Sequence, residues 1–208
     1  RRHGPPVGLR PLRTTPPLSV PLTIFEYLGS KATAEDAYSL AFKGEDGAAI
    51  ETFVLDFLME RTDQSPAELA GIKRPLEIAF HAVMAGDTES DSFNKLVICA
   101  GLQWRDVAIL RAVAKYLRQA AIAFSQDYME QAMTRNPDIA GLLIQLFHAV
   151  CAPDSASAAD AEKIIKRIEL ALGDVQSLDD DRIIRRLRNV IANVLRTNFY
   201  QPDESGKA

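Results

Sequence analysis

The sequence predicts a mainly α-helical protein in which a small helix and a β-hairpin precede a multi-helix bundle. From residue 65 onward, apolar residues recur at spacings of three and four, which is typical of amphipathic helices. Between residues 31 and 59, by contrast, apolar and polar residues alternate around a turn that contains Gly44 and Gly47. With 208 residues, of which 47% are hydrophobic, the chain is long enough to bury a substantial core.

Four regions are expected along the chain. Residues 1–18 are rich in proline and arginine and predict a flexible tether. Residues 19–62 predict a short helix that stops at Gly29, followed by the hairpin. Residues 63–154 predict a helical bundle, and residues 155–208 predict an α-helical hairpin that leads toward a further domain.

Several helix starts are marked by local chemistry. Ser65 and Pro66, with Glu68 three residues after the serine, form a capping-box pattern with proline in the first turn. Asp91 or Ser92, and then Ser125, are expected to cap later helices. Three aspartates at 179–181 place negative charge where the last helix begins, at the positive end of its dipole.

The sequence offers no pattern for a catalytic, cofactor-binding or metal site. Its glycines match neither the dinucleotide-binding nor the P-loop spacing. His3, His81 and His148 lack cysteines or carboxylates at zinc-binding spacing, so we expect packed or half-exposed histidines. A net charge of −4 argues against nucleic acid or an anionic membrane as a partner, and no apolar stretch approaches the ~20 residues of a transmembrane helix.

Aromatic and basic side chains on the predicted helices are candidates for an interface. The set comprises Trp104, Arg111, Arg118, Arg182, Arg186, Phe199 and Tyr200. Arg111 and Arg118 are assigned to the solvent side of their helix, opposite its apolar residues. Binding of phosphates by the arginines is the weaker interpretation, because a helix that buries one side shows charges on the other. We expect Phe199 and Tyr200 to pack against a neighbouring domain rather than stack on bases.

Several ordered stretches resemble the large bacterial NAD-specific glutamate dehydrogenases. They read SFNKLV at 92–97, AGLQWR at 100–105, PDIA at 137–140, DRIIRR at 181–186 and LRTNFYQ at 195–201. The resemblance implies that residues 19–62 are the end of an ACT-like domain. The helical region that follows would lie upstream of the catalytic core.

By this resemblance the full protein would be a cytoplasmic homo-oligomer that converts L-glutamate and NAD to 2-oxoglutarate, ammonia and NADH. The present chain would be a non-catalytic structural or regulatory segment without a cofactor of its own, and the remaining domains of the same polypeptide would be its partners. Such a segment could relay effector binding from the ACT-like domains. A free-standing helical module for protein interaction is the alternative.

Overall fold

The computed structural model describes residues 17–43, 49–62, 69–154 and 157–201 of the chain. This described part contains eight α-helices, one short 3₁₀ helix and one two-stranded antiparallel sheet. The predicted fold class, a helical bundle preceded by a helix and a hairpin, is confirmed. None of the helices within these residues is long and apolar enough to cross a membrane.

Helix α1 (Ser19–Tyr27) and the hairpin of β1 (Ser30–Lys43) and β2 (Ala49–Arg61) form the first unit. Gly29 takes the positive φ of 83° needed between α1 and β1, as expected of a helix stop. The predicted turn glycines at 44 and 47 lie outside the described residues. Phe25 of α1 contacts Phe57 of β2 at 5.8 Å between ring centroids and Phe80 at 4.7 Å, so the base of the hairpin is joined to the bundle.

The bundle follows the predicted order of helices. Its elements are α2 (Leu69–Ala85), a 3₁₀ helix (Ser92–Lys95), α3 (Leu96–Cys99), α4 (Trp104–Gln119), α5 (Gln126–Arg135), α6 (Pro137–Cys151), α7 (Ala158–Leu172) and α8 (Leu178–Ala192). The capping box predicted at 65–68 lies outside the described residues. The helix expected after the cap at Asp91 or Ser92 is divided into the 3₁₀ helix and α3.

Side-chain caps fix the starts of these helices. Ser125, Ser157 and Ser177 precede α5, α7 and α8, and each hydroxyl oxygen accepts a hydrogen bond from the backbone N–H three residues later. Asp91 caps the 3₁₀ helix by accepting from the N–H of Phe93 at 3.1 Å. The predicted capping residue Ser125 is therefore confirmed, and Asp91 rather than Ser92 is the cap of the 3₁₀ helix.

The core lies between α4, α5, α6 and α8, with α7 packed on α6. α8 contributes a stripe of four buried aliphatic residues, Ile183, Ile184, Leu187 and Ile191. Their spacing of one, three and four residues is that of an amphipathic helix, so one side of α8 is removed from water. Met129 and Met133 of α5 are fully buried in the same core.

Substitution of Leu187 by alanine tests the contribution of α8 to the core. Leu187 is fully buried, so Leu187→Ala should lower the free energy of unfolding by about 2–5 kcal/mol. Leu170→Ala on α7 is the control, because Leu170 is 78% exposed and should change stability by less than about 0.5 kcal/mol. Denaturant unfolding of both variants measures the difference. Equal losses in the free energy of unfolding would contradict the burial of this side of α8 in the core.

Candidate functional site

The predicted interface residues lie on α4, on α8 and in the segment after α8, and their role as an interface stays a prediction. Trp104 is half-buried and packs against the core. Arg118 is exposed near the C-terminal end of α4, where it donates to Gln126 at 3.4 Å. Arg182 and Arg186 are exposed on α8, and Arg182 lies 3.5 Å from Asp179.

Arg111 is buried rather than solvent-facing, so its assignment to the exposed side of α4 was wrong. Four residues after Val107 and three before Ala114, it lies on the same side of α4 as these two fully buried residues. The guanidinium group donates to both carboxylate oxygens of Asp91, at 2.5 and 2.8 Å, and to Asn94 Oδ1 at 2.7 Å. Burial of this charge is tolerated because a carboxylate and an amide oxygen satisfy it.

Glu130 extends this buried polar network onto α5. One carboxylate oxygen accepts from the backbone N–H of Ser92 at 3.1 Å, and the other accepts from Gln126 Nε2 at 3.0 Å. Burial raises the pKa of Glu130, although both hydrogen bonds act in the opposite direction. The network joins the loop before the 3₁₀ helix to α4 and α5, which is a structural role.

Arg135 and Asp180 join α5 to α8 through two parallel hydrogen bonds. Arg135 Nε donates to Asp180 Oδ2 at 2.9 Å, and Nη2 donates to Oδ1 at 2.7 Å. Asn136 adds a third donor at 3.3 Å. These bonds to Arg135 hold the pKa of Asp180 below its ordinary value and raise that of Arg135.

The third polar group, which we name the His148 cluster, consists of Asp106, His148 and Tyr200. His148 Nε2 lies 3.1 Å from Asp106 Oδ1, and His148 Nδ1 lies 2.6 Å from the phenol oxygen of Tyr200. With the ring proton on Nε2, this nitrogen donates to the carboxylate and Nδ1 accepts from the phenol. Burial raises the pKa of Tyr200, so the phenol is the donor at neutral pH.

Aromatic rings pack beside the His148 cluster and hold residues 199 and 200. The Phe199 ring lies 5.5 Å from that of Phe147, and the guanidinium carbon of Arg105 lies 5.1 Å from the Phe199 centroid. Arg105 also donates to the Phe199 carbonyl at 3.1 Å. Phe199 and Tyr200 therefore pack on α4 and α6 of their own chain.

The His148 cluster shares its chemistry with the carboxylate–imidazole–hydroxyl arrays that activate nucleophiles. Its phenol hydrogen bond and its aromatic surroundings instead fasten residues 199–200 to α4 and α6. Within the described ranges no three His, Cys, Asp or Glu side chains are arranged to hold a metal ion. The sequence analysis missed the cluster because Asp106, His148 and Tyr200 are 42 and 52 residues apart and show no spacing signal.

The fold and these polar groups define a helical scaffold whose charged side chains fasten its own elements together. Throughout the described part of the chain, every buried side-chain polar atom has a hydrogen-bond partner. Residues 88–153 match the family model for glutamate dehydrogenase helical motif 3, and residues 167–208 match the one for the catalytic domain of bacterial NAD-glutamate dehydrogenase. The chain belongs to the NAD-specific glutamate dehydrogenase family.

Three curated relatives carry the name NAD-specific glutamate dehydrogenase. The Pseudomonas aeruginosa protein is 37% identical over 195 residues, covering 91% of this chain and 12% of the relative. The Halomonas elongata protein is 35% identical over 192 residues, covering 92% of this chain and 12% of the relative. The Mycobacterium tuberculosis protein is 39% identical over 137 residues, covering 64% of this chain and 8% of the relative. The chain thus spans about an eighth of the length of the first two relatives.

The two family matches meet inside one core. α4, α5 and α6 lie in the helical-motif match, whereas α8 and the residues that follow it lie in the catalytic-domain match. The Arg135–Asp180 pair and the His148 cluster both connect the first match to the second. The sequence-based division at residue 154 lies between the two matched ranges and stays a prediction.

The Arg135–Asp180 pair should make stability depend on pH. Pairing with Arg135 lowers the pKa of Asp180 in the folded state. The ionised carboxylate therefore contributes fully to the free energy of unfolding above the unfolded-state pKa of about 3.9, and this contribution is lost as the pH falls through the folded-state pKa. At neutral pH, Asp180→Asn should cost about 1.5–3 kcal/mol in unfolding free energy, and this cost should shrink in acid. Asp179→Asn, at an exposed position, is the control; a pH-independent cost of Asp180→Asn would contradict the assignment.

Removal of the Tyr200 hydroxyl tests the His148 cluster. Tyr200→Phe keeps the aromatic contacts but loses the hydrogen bond to His148, so we expect a loss of about 0.5–1.5 kcal/mol in unfolding free energy. Amide hydrogen exchange at 199–201 should become faster. Tyr116→Phe is the matched control, because Tyr116 is 56% exposed. If both variants match the unmodified chain in unfolding free energy and in amide exchange, the His148 cluster does not hold residues 199–201.

Proposed function

We propose that this chain is a non-catalytic structural and regulatory segment of an NAD-dependent glutamate dehydrogenase. The whole enzyme would convert L-glutamate and NAD to 2-oxoglutarate, ammonia and NADH. The segment would fix the position of the catalytic domain relative to the helical region before it. The family membership supports the reaction, and the packing of α8 supports the role of the segment.

The observation that carries this proposal is the burial of α8 in the bundle. The stripe that includes Ile184, Leu187 and Ile191 belongs to the catalytic-domain match, yet it packs against helices of the helical-motif match. A buried core of this kind resists deformation, so the two parts move as one body. This rigid connection is also the physical basis for a regulatory role, because a displacement of the bundle would carry the attached catalytic segment with it.

The remaining properties of the whole enzyme belong to the same proposal. NAD would bind outside this segment, which matches no nucleotide-binding motif. The partners of the segment would be the other domains of its polypeptide in a cytoplasmic homo-oligomer, without nucleic acid or membrane. The alternative of phosphate binding by the arginines of α8 is weakened because Arg185 and Arg188 both pair with Glu169. The alternative of a free-standing module is disfavoured by the much greater length of the relatives.

Two measurements test the proposed function. The 208-residue chain alone should produce no NADH from glutamate and NAD, while the complete polypeptide should produce it. In the complete polypeptide, Leu187→Ala should lower the temperature at which activity is lost, because α8 anchors the catalytic domain. Leu170→Ala should leave that temperature unchanged. Production of NADH by the 208-residue chain would refute the non-catalytic role. If Leu187→Ala does not change the temperature at which activity is lost, the anchoring role is refuted.

A further inference from the structure

A cavity of about 340 Å³ lies between the C-terminal end of α6 and the residues that follow α8. The walls from α6 include Val150 and Cys151, and the opposite walls include Val194, Arg196 and Tyr200. This volume lies at the small end of the range for ligand sites, which suits a molecule of a few non-hydrogen atoms. The cavity does not overlap the buried networks around Arg111 and Asp180.

Two donors in the cavity lining favour a carboxylate. Arg196 is exposed, and no carboxylate within the described residues forms an ion pair with it. Thr197 Oγ1 accepts from the Phe199 N–H at 3.1 Å, which leaves the hydroxyl hydrogen available for donation. A guanidinium group beside a hydroxyl donor is a common way of binding a carboxylate.

The surroundings limit the ligand to one negative charge. The partial negative charge at the C-terminal end of α6 opposes any anionic group, and among the described lining residues only Arg196 carries a positive charge to offset it. One carboxylate can therefore pair with Arg196, whereas a second would be repelled without compensation. Cys151 and Tyr200 add no charge at neutral pH, because burial raises the pKa of both groups. Val150, Val194 and Leu195 supply apolar contact for a short hydrocarbon chain.

The cavity is held in shape without a ligand. The hydrogen bond from Tyr200 to His148 fixes one wall at 2.6 Å, and Asp106 in turn orients His148. Arg105 holds the backbone at Phe199. A preformed wall reduces the ordering cost of binding.

We propose that this cavity binds a small monocarboxylate with a short apolar chain. The carboxylate contacts the Arg196 guanidinium group and the Thr197 hydroxyl. The apolar chain lies against Val150 and Val194. Occupancy stabilises the residues after α8 in the position that the structure shows, because the ligand bridges them to α6.

Calorimetric titration of the 208-residue chain tests the proposal with butyrate as the probe. Butyrate should bind saturably, butylamine should not bind because it carries a positive charge, and succinate should bind more weakly because it carries a second negative charge. Arg196→Gln should weaken butyrate binding about tenfold, the effect expected for loss of one charge-assisted contact. Arg182→Gln, at an exposed arginine outside the cavity, should leave the affinity unchanged.

Charge introduced at Leu195 gives a second test that does not endanger folding, because Leu195 lines the cavity and is 95% exposed. Leu195→Asp should weaken butyrate binding, and Leu195→Lys should strengthen it. No saturable binding at tens of millimolar butyrate would overturn the proposal. Equal affinity of the unmodified chain, Arg196→Gln and both Leu195 variants would overturn it as well.

Discussion

The position of α8 depends on the ion pair between Arg135 and Asp180. The Asp180 side chain is only 3% exposed, so it can remain ionised only because a planar guanidinium group meets both of its oxygens. The pair fixes the N-terminal end of α8 against α5, and the aliphatic stripe then fixes the rest of the helix against α4 and α6. Loss of Arg135 would leave Asp180 buried without its counter-charge, which is more costly than never forming the pair. Loss of Asp180 is less costly, because the Arg135 side chain is 46% exposed and water can solvate it.

The other polar groups of the bundle are also paired with partners that satisfy their charge or their hydrogen bonds. Arg111 is buried with Asp91, Glu130 is buried with two N–H donors, and His148 lies between a carboxylate and a phenol. Each group joins segments that are far apart in the sequence, so each restricts how the helices can slide or rotate. Since these contacts use the hydrogen-bonding capacity of the buried groups, the bundle behaves as a rigid support for what is attached to it.

Local sequence signals predicted the helices well, because each helix of the bundle needs an apolar stripe and a satisfied N-terminus. Ser125 and the aspartates at 179–181 marked helix starts that the structure has. The same reasoning failed at Arg111, which was assigned to the solvent side because it lies opposite the main apolar stripe of its helix. Its position between Val107 and Ala114 indicated burial, but the carboxylate that makes burial tolerable lies 20 residues earlier.

The sequence by itself determined the helical class, the hairpin and the family, because periodicity, caps and ordered motifs are properties of neighbouring residues. Tertiary structure alone decided which polar groups meet. It also decided that α8 and the residues after it share a core with α4, α5 and α6. The Arg135–Asp180 pair and the His148 cluster span 42 to 52 residues. Contacts of that range leave no periodic trace in a single sequence, since they depend on how whole helices pack rather than on local spacing.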